Sequence, residues 1–277
     1  MVQLEKKIKL DKRSIYLRHL ILTALEGGRR GHIGSSMSLV EILRVLYDNI
    51  LKYDPKKKNL HNRDRLILSK GHGCLALYSI LSDKGFFSKK KLKTFCKPTS
   101  ILGGHPDINI PGVEATTGSL GHGLSIAIGI AISLKIKKIK SKVFVILGDG
   151  EMNEGSIWEA LMSASKHKLN NLYIVIDNNK LQTYGPPSEV AGLSNLKKKL
   201  ISFGIDTVSV NGHSTSQLYK SFKKKNLKNK PRAIICNTIK GKGIDFAEGK
   251  LDWHHKASLN DEVIQKLYKS LEKNINK

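Results

Sequence analysis

The chain is predicted to be an α/β protein, a mostly parallel sheet with helices on both faces. Two observations carry that expectation. Short apolar runs, of the kind that suit strands buried on both sides, alternate with longer amphipathic stretches along the whole length. No Pro-, Ser- or Gly-rich linker breaks the alternation, so residues 1–277 read as one unit with amino-terminal helices.

The predicted strands are 65–69, 143–149, 172–178, 207–211 and 232–238. Helical periodicity is read at 39–51, 75–84, 124–135, 156–167, 193–203, 216–225 and 261–273. Segment 95–117, carrying Pro98, Pro106 and Pro111, is a long loop, and 240–258 is a second irregular stretch. Ordered loops of that length in a compact fold are usually functional. There is no internal repeat.

The most informative stretch is 148–181, GDGEMNEGSIWEALMSASKHKLNNLYIVIDNNKL. One predicted strand delivers Gly148-Asp149-Gly150 to the carboxyl edge of the sheet, where open α/β folds bind ligands, and the next delivers Asp177-Asn178-Asn179 to the same edge. Asp149 supplies a hard carboxylate oxygen and the Asn pair an amide oxygen, which with phosphate oxygens is a donor set suited to Mg²⁺. Gly150 lets a diphosphate approach backbone N–H groups that a side chain would cover.

Five of the ten histidines directly follow glycine: His32, His72, His105, His122 and His213. Such a histidine can sit on a tight turn and exchange protons near neutral pH. His72, at the end of a predicted strand, is favoured by the ligand-edge rule, and His105 lies in the long loop. For His32 the plain alternative is a capping loop in which Ser38 caps a helix starting near Leu39. His213 is explained by a turn before a helix and is left out of the site.

The net charge of +25 raises nucleic-acid binding, but the lysines fall in short scattered runs (56–58, 89–91, 197–199, 223–225) without interleaved aromatics, which is the pattern of solvated faces. Cys74, Cys96 and Cys236 are far apart and show no CxxC spacing, so they indicate neither disulfides nor a zinc site. No run approaches the length of a membrane span, and MVQLEKKIKLDKRS lacks the apolar core of a secretory signal, so a cytoplasmic protein is expected.

Taken in order, GHIGSS (31–36), SKGHG (69–73), GGHP (103–106), PGVEATTGSLGHG (111–123), the GDG to NNKL block and WHHKAS (253–258) resemble the amino-terminal, thiamine diphosphate-binding half of transketolase, and they span nearly the whole chain. The resemblance implies the thiamine diphosphate-binding fold, here its diphosphate-binding domain. It implies Mg²⁺ held by the side chains of Asp149 and Asn179 and the carbonyl of Leu181, with Gly150 and His72 on the diphosphate. Gly118 and Leu120 match the segment against the cofactor rings, and Glu154 an acidic residue in a carboxylate network between subunits. His32 and His105 match histidines facing the reacting carbons of the sugar. Either His254 or His255 completes this end of the site, with His255 favoured; His122 stands where many relatives carry Gln.

The same resemblance implies what is missing. The glutamate that activates the cofactor lies on a pyrimidine-binding domain that normally follows in the same polypeptide. Neither that domain nor a carboxyl-terminal domain is expected before Lys277. A split enzyme follows, whose partner is a carboxyl-terminal transketolase subunit, with two copies of each chain and with sugar phosphates of the pentose phosphate pathway as substrates. The stretch 118–132, rich in isoleucine and small residues, is a candidate contact or simply a core helix. Competing readings are another split thiamine diphosphate enzyme, such as a 2-oxo acid dehydrogenase subunit or a relative of deoxyxylulose phosphate synthase, and a non-catalytic basic RNA-associated protein.

Overall fold

In the computed structural model, residues 8–57, 60–182, 185, 187–190, 194–224, 227 and 229–273 are described. The extreme start of the chain, Lys58, Leu193 and Lys225 therefore lie outside the described residues. Five parallel strands form the sheet: β1 Arg65–Leu68, β2 Val143–Gly148, β3 Leu172–Asn178, β4 Asp206–Asn211 and β5 Arg232–Asn237, in the order β1-β2-β3-β5-β4. All five predicted strands are present. Three of them stop one residue short of the predicted end, and the residues released, Ser69, Asp149 and Thr238, turn out of the sheet.

Side-chain alternation along the strands divides the core into two apolar layers. Leu66, Leu68, Phe144, Ile146, Tyr173, Val175, Ile234 and Cys236 belong to one, and Ile67, Val145, Leu147, Ile174, Ile176 and Ile235 to the other. The first layer is covered by α1 Lys12–Gly28, α2 Ile33–Ser38, α3 Val40–Val45, α4 Cys74–Asp83 and, nearer the chain's end, the segments holding Leu218, Phe222, Ile264 and Leu267. The second is covered by α5 His122–Ile136, α6 Gly155–Lys166 and the helix containing Leu200. Helices thus lie on both faces, as expected.

The remaining helices are α7 Pro187–Val190, α8 Leu196–Ser202, α9 Thr215–Lys223 and α10 Asp261–Glu272. The start of the chain departs from the sequence reading. Helix α1, capped by Asp11 whose carboxylate accepts from Ser14 N (2.9 Å), was not among the predicted helices. The predicted helix at 39–51 is α3 followed by a π-helical turn, Leu46–Ile50, and it is preceded by α2. Ser38 is therefore no cap. Its buried hydroxyl donates to Asp177 Oδ2 (2.7 Å), tying α2 to the end of β3.

His213 is buried, and its ring completes a network on the covered face. Arg18 donates to both Glu41 oxygens (2.6 and 3.1 Å), His213 Nδ1 lies 2.7 Å from Glu41 Oε2, and Ile239 N donates to His213 Nε2 (2.8 Å). Because Nε2 accepts, Nδ1 carries the ring proton. Burial alone would raise the Glu41 carboxyl, but the Arg18 guanidinium outweighs it and holds the group well below the carboxylate range. Arg18 also donates to Lys242 O (2.8 Å), so the network clamps both flanks of Lys240.

Candidate active site

The carboxyl ends of β1, β2, β3 and β5 open onto a cavity of about 320 Å³, lined by Lys70, His72, Leu120, Asp149, Gly150, Glu154, Asn179, Leu181, Lys240 and His254 among others. Asp149 leaves β2 in helical conformation; its Oδ1 accepts from Gly150 N (2.9 Å) and its Oδ2 from Lys180 N (2.5 Å). Asn179 is buried, and its Nδ2 reaches Asp177 Oδ2 (3.4 Å) while its Oδ1 accepts from Leu181 N (3.1 Å). That pairing orients the amide so that its oxygen lies on the Leu181 side. Burial, reinforced by the neighbouring Asp177, pushes the Asp149 carboxyl up to about 6.

Beneath this set lies a buried ion pair that the sequence reading did not pick out. Lys70 Nζ meets Asp177 Oδ2 at 2.5 Å with both side chains essentially inaccessible, and Thr238 Oγ1 donates to the other Asp177 oxygen. Burial opposes the Asp177 charge, yet Lys70 and the hydroxyls hold its carboxyl below the ordinary value. Asp177 therefore joins four segments: β3, α2, the turn after β1 and the turn after β5. Glu151, also unselected, does similar work. It accepts from Ser69 Oγ (2.5 Å), Gly121 N (3.0 Å) and Gly148 N (3.2 Å).

The histidines converge. The ring of His32 lies 5.5 Å from His72, 6.0 Å from His105, 5.5 Å from His254 and 4.5 Å from His255, centroid to centroid. His72 and His254 are 5.7 Å apart. Burial, then the crowding of His255, His254, His105 and Lys240, lowers His32 to about 3, and burial with Lys240 lowers His254 to about 4. At neutral pH these two rings are uncharged, each with one donor and one acceptor nitrogen. His254 lines the Asp149 cavity and His255 lies farther out, in an exposed position, so both candidates flank His32 from different sides. Lys240 Nζ contacts His254 Nδ1 (2.5 Å) and Leu181 O (2.8 Å), and burial lowers its ammonium to about 8. The sequence signal for Lys240 was the GKG turn it begins.

His105 is placed by its loop. Tyr78, buried in α4, donates to the carbonyls of Gly103 (3.0 Å) and His105 (2.8 Å). A Cβ on Gly118, whose φ is +157°, would stand 3.2 Å from the His105 ring, so glycine permits the ring to rest directly on that backbone. Glu154 is exposed at the rim, and His122, exposed at the first position of α5, does not line the cavity. Cys74 and Cys236 are buried free thiols and Cys96 a half-buried one.

The described residues contain no cluster of three or more His, Cys, Asp or Glu side chains suited to a metal. The Asp149 set is of another kind, with one carboxylate, one amide oxygen and one main-chain carbonyl. It suits a hard cation that completes its shell with a ligand's phosphate oxygens.

A parallel sheet presenting such a set beside five histidines at its carboxyl edge has the form of a ligand-binding α/β fold, and comparison with known proteins gives its class. Residues 11–276 match the family "Transketolase, thiamine diphosphate binding domain". The chain belongs to the transketolase family and corresponds to its amino-terminal, thiamine diphosphate-binding part. It is 38% identical over 268 residues to an apulose-4-phosphate transketolase subunit of Phocaeicola vulgatus, covering 95% of each chain. It is 39% identical over 271 residues to the 6-deoxy-6-sulfo-D-fructose transketolase subunit SqwG of Clostridium sp. (strain MSTE9), covering 97% of this chain and 98% of that one. The crystal structure of Campylobacter jejuni transketolase superposes with a TM-score of 0.87 at 33% identity; the match covers 95% of this chain but 42% of that one. The chain thus spans about the whole of the subunit-type relatives and less than half of that solved transketolase.

Proposed function

We propose that this chain is the cofactor-gripping subunit of a two-subunit transketolase that moves a two-carbon ketol unit between a ketose and an aldose bearing anionic termini. The observation that carries the reading is the juxtaposition of the Asp149–Asn179–Leu181 oxygens with the histidine cluster around His32. The subunit-type relatives are named as parts of an enzyme, which supports a partner chain, and the sugars in those names, apulose-4-phosphate and 6-deoxy-6-sulfo-D-fructose, support acidic sugars as substrates. We read the whole chain as one diphosphate-binding domain, with the pyrimidine-binding domain on a carboxyl-terminal partner subunit in an assembly of two copies of each.

Asp149 and Asn179 would hold Mg²⁺ by side chain and Leu181 by its carbonyl, while Gly150 N–H and His72 would hold the diphosphate. When bound, thiamine diphosphate would supply the carbanion chemistry of ketol transfer. This chain's residues do the rest on their side of the cleft. Gly118 and Leu120 present backbone and apolar surface to the rings, and Glu154 faces the partner. His254 completes the inner wall, and His255, with His32 and His105, faces the sugar. The neutral His32 ring keeps one N–H with which it can donate to a developing alkoxide.

Titration calorimetry of the reconstituted complex with thiamine diphosphate and Mg²⁺ tests the reading. Saturable, metal-dependent heat is expected. Its absence together with salt-sensitive RNA binding would sink the enzyme reading. Asp149→Ala should weaken metal-dependent cofactor binding by more than the roughly 10–100-fold typical of losing an outer-shell partner. His105→Ala should leave that affinity nearly intact and cut turnover by roughly 10²–10⁴. Wild-type behaviour in both variants would show that the site is misplaced.

A further inference from the structure

Resting on the ketol-transfer reading, the outer end of the histidine row points to a substrate contact. Gly31 and Lys256 form an isolated antiparallel bridge, Gly31 N donating to Lys256 O (2.9 Å) and Lys256 N to Gly31 O (3.0 Å). Alternation along such a pairing puts residues 30 and 32 on one side, with 255 across from 32. The 4.5 Å approach of the His32 and His255 rings agrees with that placement. Arg30, across from residue 257, is then the diagonal neighbour of His255 on the side that His32 and His255 share, within reach of a long side chain. The electrostatics agree: after burial, the Arg30 guanidinium is the leading cause holding His255 below the ordinary imidazole value, whereas His32 responds chiefly to burial, the other histidines and Lys240.

The neighbouring cations are engaged. Arg29 pairs with Asp261 (2.6 Å), Lys256 lies over the Trp253 ring (4.8 Å), Lys70 pairs with Asp177, and Lys240 contacts Leu181 O and His254. Arg30 is exposed, and among the described residues its guanidinium has no carboxylate partner. On the ketol-transfer reading the reacting carbons lie among the histidines, and His255 with Arg30 forms the exposed edge of that cluster, so a sugar chain leaving the cluster by that edge brings its far end to Arg30. A guanidinium fork there matches a tetrahedral oxyanion with two parallel N–H donors.

We propose that Arg30 is this chain's contact for the anionic terminus, phosphate or sulfonate, of the sugar substrate, and so helps select charged over neutral sugars. The test uses the reconstituted complex with Arg30→Ala and Arg30→Lys. Erythrulose as an uncharged donor isolates the acceptor arm, glyceraldehyde 3-phosphate against glyceraldehyde; a common acceptor isolates the donor arm, fructose 6-phosphate against fructose. In R30A the KM of a phosphorylated sugar in at least one arm should rise roughly tenfold to a hundredfold, with its neutral counterpart and kcat nearly unmoved, and R30K should recover part of the loss. KM values that rise equally for charged and neutral sugars, or do not rise, overturn the proposal. Glycerol 3-phosphate titration reads the contact without turnover. Weaker binding in R30A supports it, and equal binding overturns it. A complex that binds glycerol 3-phosphate through Arg30 yet transfers no ketol would leave the contact standing and refute the ketol-transfer reading.

Discussion

His32 shows how a residue's chemistry is made by its neighbours. Alone, an imidazole titrates near pH 6.5; here burial, three surrounding imidazoles and Lys240 drive it to about 3, and His72, His254 and His255 are lowered as well. The sign of the consequence is definite. Between pH 6.5 and about 4 the unfolded chain takes up protons on these residues that the folded chain refuses, so their contribution to stability is present above 6.5 and is lost as pH falls. The unfolding midpoint should drop on acidification through that window. His32→Gln should make the drop shallower by the share of one titrating group, as followed by thermal melts from pH 7 to 4. An unchanged slope would mean that His32 protonates freely in the folded protein.

Between residue and whole, the turns after the strands set the site, and the Arg18–Glu41–His213 network shows how they are held. It joins α1, α3 and the turn before α9 to residues 239 and 242, on either side of Lys240. Removing one member of a buried ion pair leaves the other charge uncompensated, at a cost of about 3–5 kcal/mol. Glu41→Gln should therefore lose stability of that order in urea titrations, whereas a loss under about 1 kcal/mol would show that the network is dispensable. The positions of the strands were legible because both-face burial demands continuous apolar runs, as in Val143–Gly148, which is buried throughout. Helix α2 was not legible. Its sequence, Ile33–Ser38, is glycine- and serine-rich, and it is helical because packing buries every residue of it.

For the molecule as a whole, no described helix is long and apolar enough to cross a membrane. α5 exposes Ile126 at 38% and an open Gly129, and α6, packed beside it, exposes Met162 at 62%. Apolar groups exposed together on adjacent helices suit a protein partner better than water. If the partner subunit covers them, Ile126→Lys should leave the isolated chain's melting temperature nearly unchanged and weaken assembly in sedimentation with the partner. Pure chain, without partner, should show no ketol transfer. Normal assembly by the variant would move the interface elsewhere, and robust turnover by the lone chain would refute the two-subunit reading.

By itself, the sequence determined the five strands, the two edge-delivered oxygens and the glycine-flanked histidines, because strand burial and ligand approach impose local patterns on a chain. Tertiary structure alone decided which distant groups became partners. Lys70 and Asp177 lie 107 residues apart, Glu41 and His213 172 residues apart, and neither pair leaves a local pattern. It also decided the division between His254 and His255. Adjacent in sequence, they are separated by a backbone turn that sends one toward the Asp149 cavity and leaves the other beside His32 near Arg30. Charge partners and desolvation are properties of packed space, and a chain acquires them only when its segments meet.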